Sequence, residues 1–114
     1  MYHEKLLVWK KSFELTVVIY QNTKSLSDFG FKNQITRSSL SVPSNIAEGL
    51  EKPTVKDKKK YLYIAKGSLA ELKTQLLVGE SIGYLESSLV NYLKQNIEDI
   101  DNMIFGLIRK IESR

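Results

Sequence analysis

Leu62, Leu69 and Leu76 stand seven residues apart, and Ala65, Leu72 and Gly79 interleave with them at the same interval. Only an α-helix brings such a repeat onto one line, and the line suits helices that pack at a shallow angle. The spacing predicts a long helix from Val55 to about Ile82. Thr54 serves as its N-cap with Asp57 three residues on, and Gly83 as its stop. The rest of the chain reads the same way. Leu6, Trp9, Phe13, Thr16, Val17 and Tyr20 step by threes and fours, giving a first helix from about Glu4 to Ser25 that ends at the Ser27-Asp28-Phe29-Gly30 turn. A second helix runs from about Phe31 to Leu50. A last one starts at Ser87 or Ser88 with Leu89, Leu93, Ile97, Ile100, Ile104, Leu107 and Ile111 on its apolar face. With no strand alternation or internal repeat, the chain is expected to be all-α: one antiparallel, up-down-up-down four-helix bundle over residues 1–114.

The second helix contains a proline. Val42, Ile46 and Leu50 continue the face set by Phe31 and Ile35, so the segment reads as helix through Pro43. The ring displaces the carbonyl of Ser39 and deletes one backbone bond, at roughly 3 kcal/mol in an isolated helix interior. A polar side chain is expected to take the freed carbonyl, with Ser38, Ser39, Ser41, Ser44 and Asn45 as local candidates.

At 114 residues the chain can bury a single modest core. It has no cysteine, hence no disulfide and no thiolate chemistry. Met1-Tyr2-His3-Glu4-Lys5 and the lysine-interrupted residues that follow do not form a signal peptide. No apolar run approaches the roughly 20 residues of a membrane span. A soluble, cytoplasmic protein with no membrane partner is expected. Catalysis is not expected, nor is a cofactor or metal. His3, the only histidine, sits in a terminus expected to fray, and the Glu-x-x-His repeats of di-metal bundles are missing. Glu48 and Glu71 read as structural carboxylates, Glu48 accepting from Asn45, a serine or Arg37, and Glu71 pairing with Lys66 or a neighbour's lysine.

Between Glu51 and Lys66 the chain holds Lys52, Lys56, Lys58, Lys59, Lys60 and Lys66 against Glu51 and Asp57, a surplus equal to the net charge of the whole chain, +4. Lys59, Lys66 and Lys73 form a stripe beside the leucine seam. With Arg37, these cations offer non-specific phosphate contacts whose strength would fall steeply with salt, Arg37, Lys52, Lys56, Lys59, Lys60 and Lys66 being the chief candidates. The same lysines read equally as a solvated, snorkelling face. Tyr61, Trp9, Phe13 and Tyr20 are expected in the core or at an interface. Tyr63, Ile64, Ala70, Leu77 and Val78 lie off the seam beside the small residues Gly67 and Thr74. A helix apolar on two sides is central or covered by another subunit. Tyr63, Ile64, Gly67 and Ala70 are therefore candidate subunit contacts, with Gly67, Ser68 and Ala70 allowing close approach; Tyr63 and Ile64 otherwise read as the scattered surface apolar residues normal on soluble proteins.

Several blocks carry a resemblance. They are Val8-Trp9-Lys10 with Ser12, Ser41-Val42-Pro43-Ser44-Asn45-Ile46-Ala47-Glu48-Gly49, Tyr61 to Leu69 with Glu71 and Leu72, and Gly83-Tyr84-Leu85. Together they resemble bacterial four-helix bundle proteins encoded within intervening sequences of large-subunit ribosomal RNA genes, related to the accessory variability determinant of diversity-generating retroelements. The resemblance implies a bundle that closes into a ring, a pentamer, with a basic surface. It also implies nucleic acid, RNA or DNA, as a partner, and a reverse transcriptase as a possible protein partner. Pro43, Asn45, Glu48, Gly49, Ser68 and Glu71 are its motif residues. Thr36-Arg37 stands where that family often shows two adjacent basic residues, one positive charge fewer per subunit. A self-assembling scaffold that docks a protein, without touching nucleic acid, is the other reading.

Overall fold

The computed structural model describes residues 2–113, and the side chains of residues 2–4, His3 included, lie outside what is described. Four helices follow one another: α1 (Tyr2–Thr23), α2 (Phe29–Glu51), α3 (Val55–Ser81) and α4 (Ser87–Glu112). Each packs against its two neighbours in the order α1, α2, α3, α4 and back to α1, and among the described residues no diagonal pair brings its backbones close together. Short turns make adjacent helices antiparallel. The body measures 46 × 23 × 18 Å, and none of its described helices is long and apolar enough to cross a membrane.

Local chemistry sets the helix ends. Asp28 caps α2 by accepting from the Phe31 amide at 3.1 Å, so Phe29 and Gly30, expected in the turn, are its first helical residues. Thr54 caps α3 as expected, its hydroxyl accepting from the Asp57 amide at 3.1 Å. At the other end of α3, Gly83 takes φ +83°, which an L side chain resists. Its amide and those of Tyr84 and Leu85 then reach the carbonyls of Glu80 and Gly79.

The core is one column of side chains. Leu62, Ala65, Leu69, Leu72, Leu76 and Gly79 line the α3 side, Ile35, Val42 and Ile46 the α2 side, and Leu93, Ile97, Ile100, Ile104, Leu107 and Ile111 the α4 side, as the spacing predicts. The face of α1 needs correction. Val8, Leu15 and Ile19 point inward with Ser12, Thr16 and Thr23, while Leu6, Phe13, Val17 and Tyr20 are exposed. Both sets repeat at helical spacing, and the inner one was masked by its hydroxyls. Those hydroxyls bond to carbonyls of their own helix: Ser12 to Trp9, Thr16 to Ser12 and Thr23 to Ile19, at 2.8–2.9 Å.

Candidate nucleic-acid interface

Helices α2 and α3 meet along the Ser-Val-Pro-Ser-Asn block. Pro43 is buried in an unbroken helix. The carbonyl it frees, that of Ser39, accepts at 2.8 Å from the Thr16 hydroxyl of α1, whose single proton it shares with the Ser12 carbonyl at 2.9 Å, so the partner comes from the neighbouring helix and not from the local serines or Asn45. Asn45 serves the α2–α3 contact instead. Its amide donates to the Ser41 carbonyl at 2.8 Å and to the Ser41 hydroxyl at 2.9 Å, and the Ser41 and Ser68 hydroxyls are 2.8 Å apart. The Ser68 hydroxyl donates to the Ile64 carbonyl at 3.1 Å, which makes Ser41 the donor of the pair and gives the relay one direction.

The close approach occurs at two glycines. A Cβ on Gly49 would lie 3.1 Å from the Lys58 carbonyl oxygen, and one on Gly79 would lie 2.8 Å from Leu85 and 2.9 Å from Phe31. Gly67, expected at a close contact, has open space around it within the chain. Tyr63, Ile64, Leu77 and Val78 around it are exposed, as is Ala70. The outward face of α3 is thus small and apolar, and α1, diagonally opposite, carries the Leu6, Phe13, Val17 and Tyr20 stripe, with Leu6 50 % and Phe13 48 % exposed. The aromatics divide accordingly. Phe13 and Tyr20 stand outside, Trp9 is half-buried with its ring 5.4 Å from that of Phe13, and Tyr61 is half-buried beneath two lysines.

The cations gather at the end of the bundle where α2 passes into α3, but carboxylates from elsewhere close on them. Lys52 pairs with Glu48 at 3.6 Å and lies over the Tyr61 ring, Lys59 pairs with Glu112 and Lys66 with Asp101 at 2.7 Å. The Glu112 contact holds the Lys59 ammonium above the usual lysine range. Lys58 donates to the Leu50 carbonyl at the end of α2, at 3.2 Å. Lys60 lies over Tyr61 and has no carboxylate partner; Lys56 has no partner among the described residues. Glu48 thus pairs with Lys52 rather than with Asn45, a serine or Arg37, and Lys66 belongs to Asp101 and not to Glu71. Two grooves flank α3. One of about 330 Å³ on the α2 side is lined by Gln34, Arg37, Ser38, Ser41, Ser68 and Glu71. One of about 650 Å³ on the α4 side holds Lys66, Lys73 and Lys94 together with Glu98 and Asp101. Lys94 escaped the sequence reading because only the packing of α4 brings it opposite Lys73. The Lys66–Asp101 pair escaped it because the two residues are 35 apart in the chain.

Nothing among curated proteins matches the chain. Among solved structures, a protein of unknown function from the S23 ribosomal protein family of Bacteroides thetaiotaomicron VPI-5482 superposes with a TM-score of 0.86, at 23 % identity, over 93 % of this chain and 98 % of that one. The similarity establishes the same bundle fold. The model of the 23S rRNA-intervening sequence protein family matches residues 4–106, which contain the Ser-Val-Pro-Ser-Asn-Ile-Ala-Glu-Gly block and the α2–α3 seam. The chain belongs to the 23S rRNA-intervening sequence protein family.

Proposed function

We propose that this protein is a non-enzymatic bundle that assembles with copies of itself, as a pentameric ring if it follows the resemblance, and binds nucleic acid through cations repeated around the assembly. The observation that carries the reading is the placing of two outward apolar faces on diagonally opposite helices, α1 and α3. Faces on opposite sides of one subunit favour head-to-tail contacts, which close into rings when the rotation allows. Each added subunit would repeat the cationic end and raise the local density of phosphate contacts.

Two measurements test it. Light scattering of the purified protein should give a mass of several subunits, and a monomer at every concentration would overturn the assembly. Fluorescence anisotropy with labelled RNA and duplex DNA should show affinity that falls by two orders of magnitude or more between about 50 and 200 mM salt. Lys56→Glu with Lys60→Glu should abolish it, because neither lysine has a carboxylate partner to oppose the new charge. Lys59→Glu with Lys66→Glu should do the same while setting like charges against Glu112 and Asp101. Unchanged binding in both double variants would overturn the nucleic-acid reading.

One observation favours a different reading. Glu48, Glu112 and Asp101 neutralise much of the lysine surplus, as a scaffold for a protein partner, a reverse transcriptase for example, would tolerate. That reading expects tight association with a co-encoded protein and no affinity for RNA at physiological salt.

A further inference from the structure

The groove on the α2 side of α3 holds polar groups that the fold leaves idle. Ser38 lines it and is only 7 % exposed as a residue, and its hydroxyl oxygen, which is open to the groove rather than sealed in the core, has no hydrogen-bond partner among the described residues. Hydroxyls of buried residues ordinarily find one, and here Ser12, Thr16, Thr23, Thr36, Ser39 and Ser68 all donate to backbone carbonyls. Ser38 is the exception among the described buried serines and threonines. Arg37 and Glu71 line the same groove, opposite in charge, and neither makes an ion pair. One turn along α3 from Glu71, the Oε1 of Gln75 is buried without a donor.

These groups describe a ligand. Arg37 brings a planar fork of N–H donors, and Ser38 and Gln34 add a hydroxyl and an amide. Glu71 only accepts. The Ser41 and Ser68 protons are committed to the relay, so those oxygens also accept only. A matching molecule presents an oxyanion and, close beside it, a hydroxyl that donates. A phosphodiester next to a ribose 2′-hydroxyl is such a pair, and deoxyribose lacks the second half. We propose that the α2–α3 groove holds one ribonucleotide of an RNA strand, its phosphate on Arg37 and Ser38 and its 2′-hydroxyl donating to Glu71. The inference rests on the nucleic-acid reading above and adds to it a preference for RNA over DNA.

The test is anisotropy of the full-length protein with a labelled single-stranded RNA and the DNA of the same sequence, at about 100 mM salt. RNA should bind at least about five-fold tighter than DNA, the loss expected when an accepting carboxylate finds no donor. Glu71→Ala should bring that ratio near one, and Ser38→Ala should weaken RNA binding about five- to ten-fold. In urea unfolding, Ser38→Ala should match the parent, because it removes a hydroxyl that bonds to nothing within the protein. Equal affinity of the parent protein for RNA and DNA, or parent-like affinity and ratio in both variants, would overturn the groove assignment and leave nucleic-acid binding intact. Absence of binding to either strand would overturn both. A Ser38→Ala protein that loses stability along with affinity, or variants that lose assembly mass while still binding RNA normally, would make the groove a structural or subunit contact and overturn the proposal.

Discussion

Thr16 and Pro43 act as a pair although they sit on different helices. The proline opens the Ser39 carbonyl and the threonine closes it at 2.8 Å. Thr16→Val should therefore cost about 1–3 kcal/mol in urea unfolding, the penalty of a buried unpaired carbonyl. In a Pro43→Ala background residue 43 regains its N–H, and the same substitution should cost less than half as much; equal costs in the two backgrounds would dissolve the pair. The Tyr84 hydroxyl, from the α3–α4 turn, donates to the Asp28 carboxylate at the start of α2 at 2.8 Å. The Phe31 amide first, and then Tyr84, hold the Asp28 carboxyl below its ordinary pKa, while the bond to Asp28 holds the Tyr84 phenol above its own. A lowered carboxyl pKa stabilises fully above the unfolded value, about 3.9, and the gain disappears as pH falls through the folded one. A raised phenol pKa stabilises fully below about 10 and is lost as pH rises through the folded value. The urea midpoint of the parent protein should thus drop at both extremes, and Tyr84→Phe should flatten the alkaline arm and weaken the acid one. Identical profiles for the two proteins would exclude the clamp. Neither partnership was legible in the sequence, since both join residues far apart in the chain.

At the scale of helices, periodicity served well where one stripe was apolar and failed where two were. The heptad of α3 and the isoleucines of α4 left no choice of face. On α1 the larger side chains, Leu6, Phe13 and Tyr20, form the more conspicuous stripe, and it faces outward. The inner stripe holds Ser12, Thr16 and Thr23, which suit a core only once their hydroxyls are seen to bond backbone carbonyls. The glycines of α3 allow a direct comparison. Gly67→Ala should raise the stability of the single subunit by about 0.5–1 kcal/mol, because its Cβ meets only open space within the chain and alanine favours helix. Gly79→Ala forces its Cβ against Leu85 and Phe31 and should lower the melting temperature through about 1–3 kcal/mol of overpacking. The opposite ranking in a thermal scan would reverse which of the two marks the tight contact. Of the candidate groove, the block of motif residues was readable, whereas the idle hydroxyl of Ser38 was not, because nothing in a string of serines tells which one lacks a partner.

For the molecule as a whole, the outer stripe of α1 asks for a partner surface as much as the small-residue face of α3 does. Phe13→Glu should reduce the mass seen by light scattering to that of one subunit while the helical circular dichroism is retained, since Phe13 is half exposed and outside the core. Retention of the assembled mass would remove α1 from the contact. The distribution of charge has a consequence of a different kind. Lys52, Lys56, Lys58, Lys59 and Lys60 lie together with Arg109 near one tip of a body 46 Å long and outnumber Glu48, Glu51, Asp57 and Glu112 there, whereas the far tip has Asp28, Glu80 and Glu86 against Lys24 and Lys32. Such a rod is an electric dipole along its own length. In the field of a polyanion it would experience a torque before it makes any contact, and would arrive tip first. Short contacts between single lysines and phosphates then govern how long an encounter lasts, while the long-range moment governs how often encounters begin. Added salt, with a Debye length near 10 Å at 0.1 M, would randomise that approach well before it dissolved the short contacts.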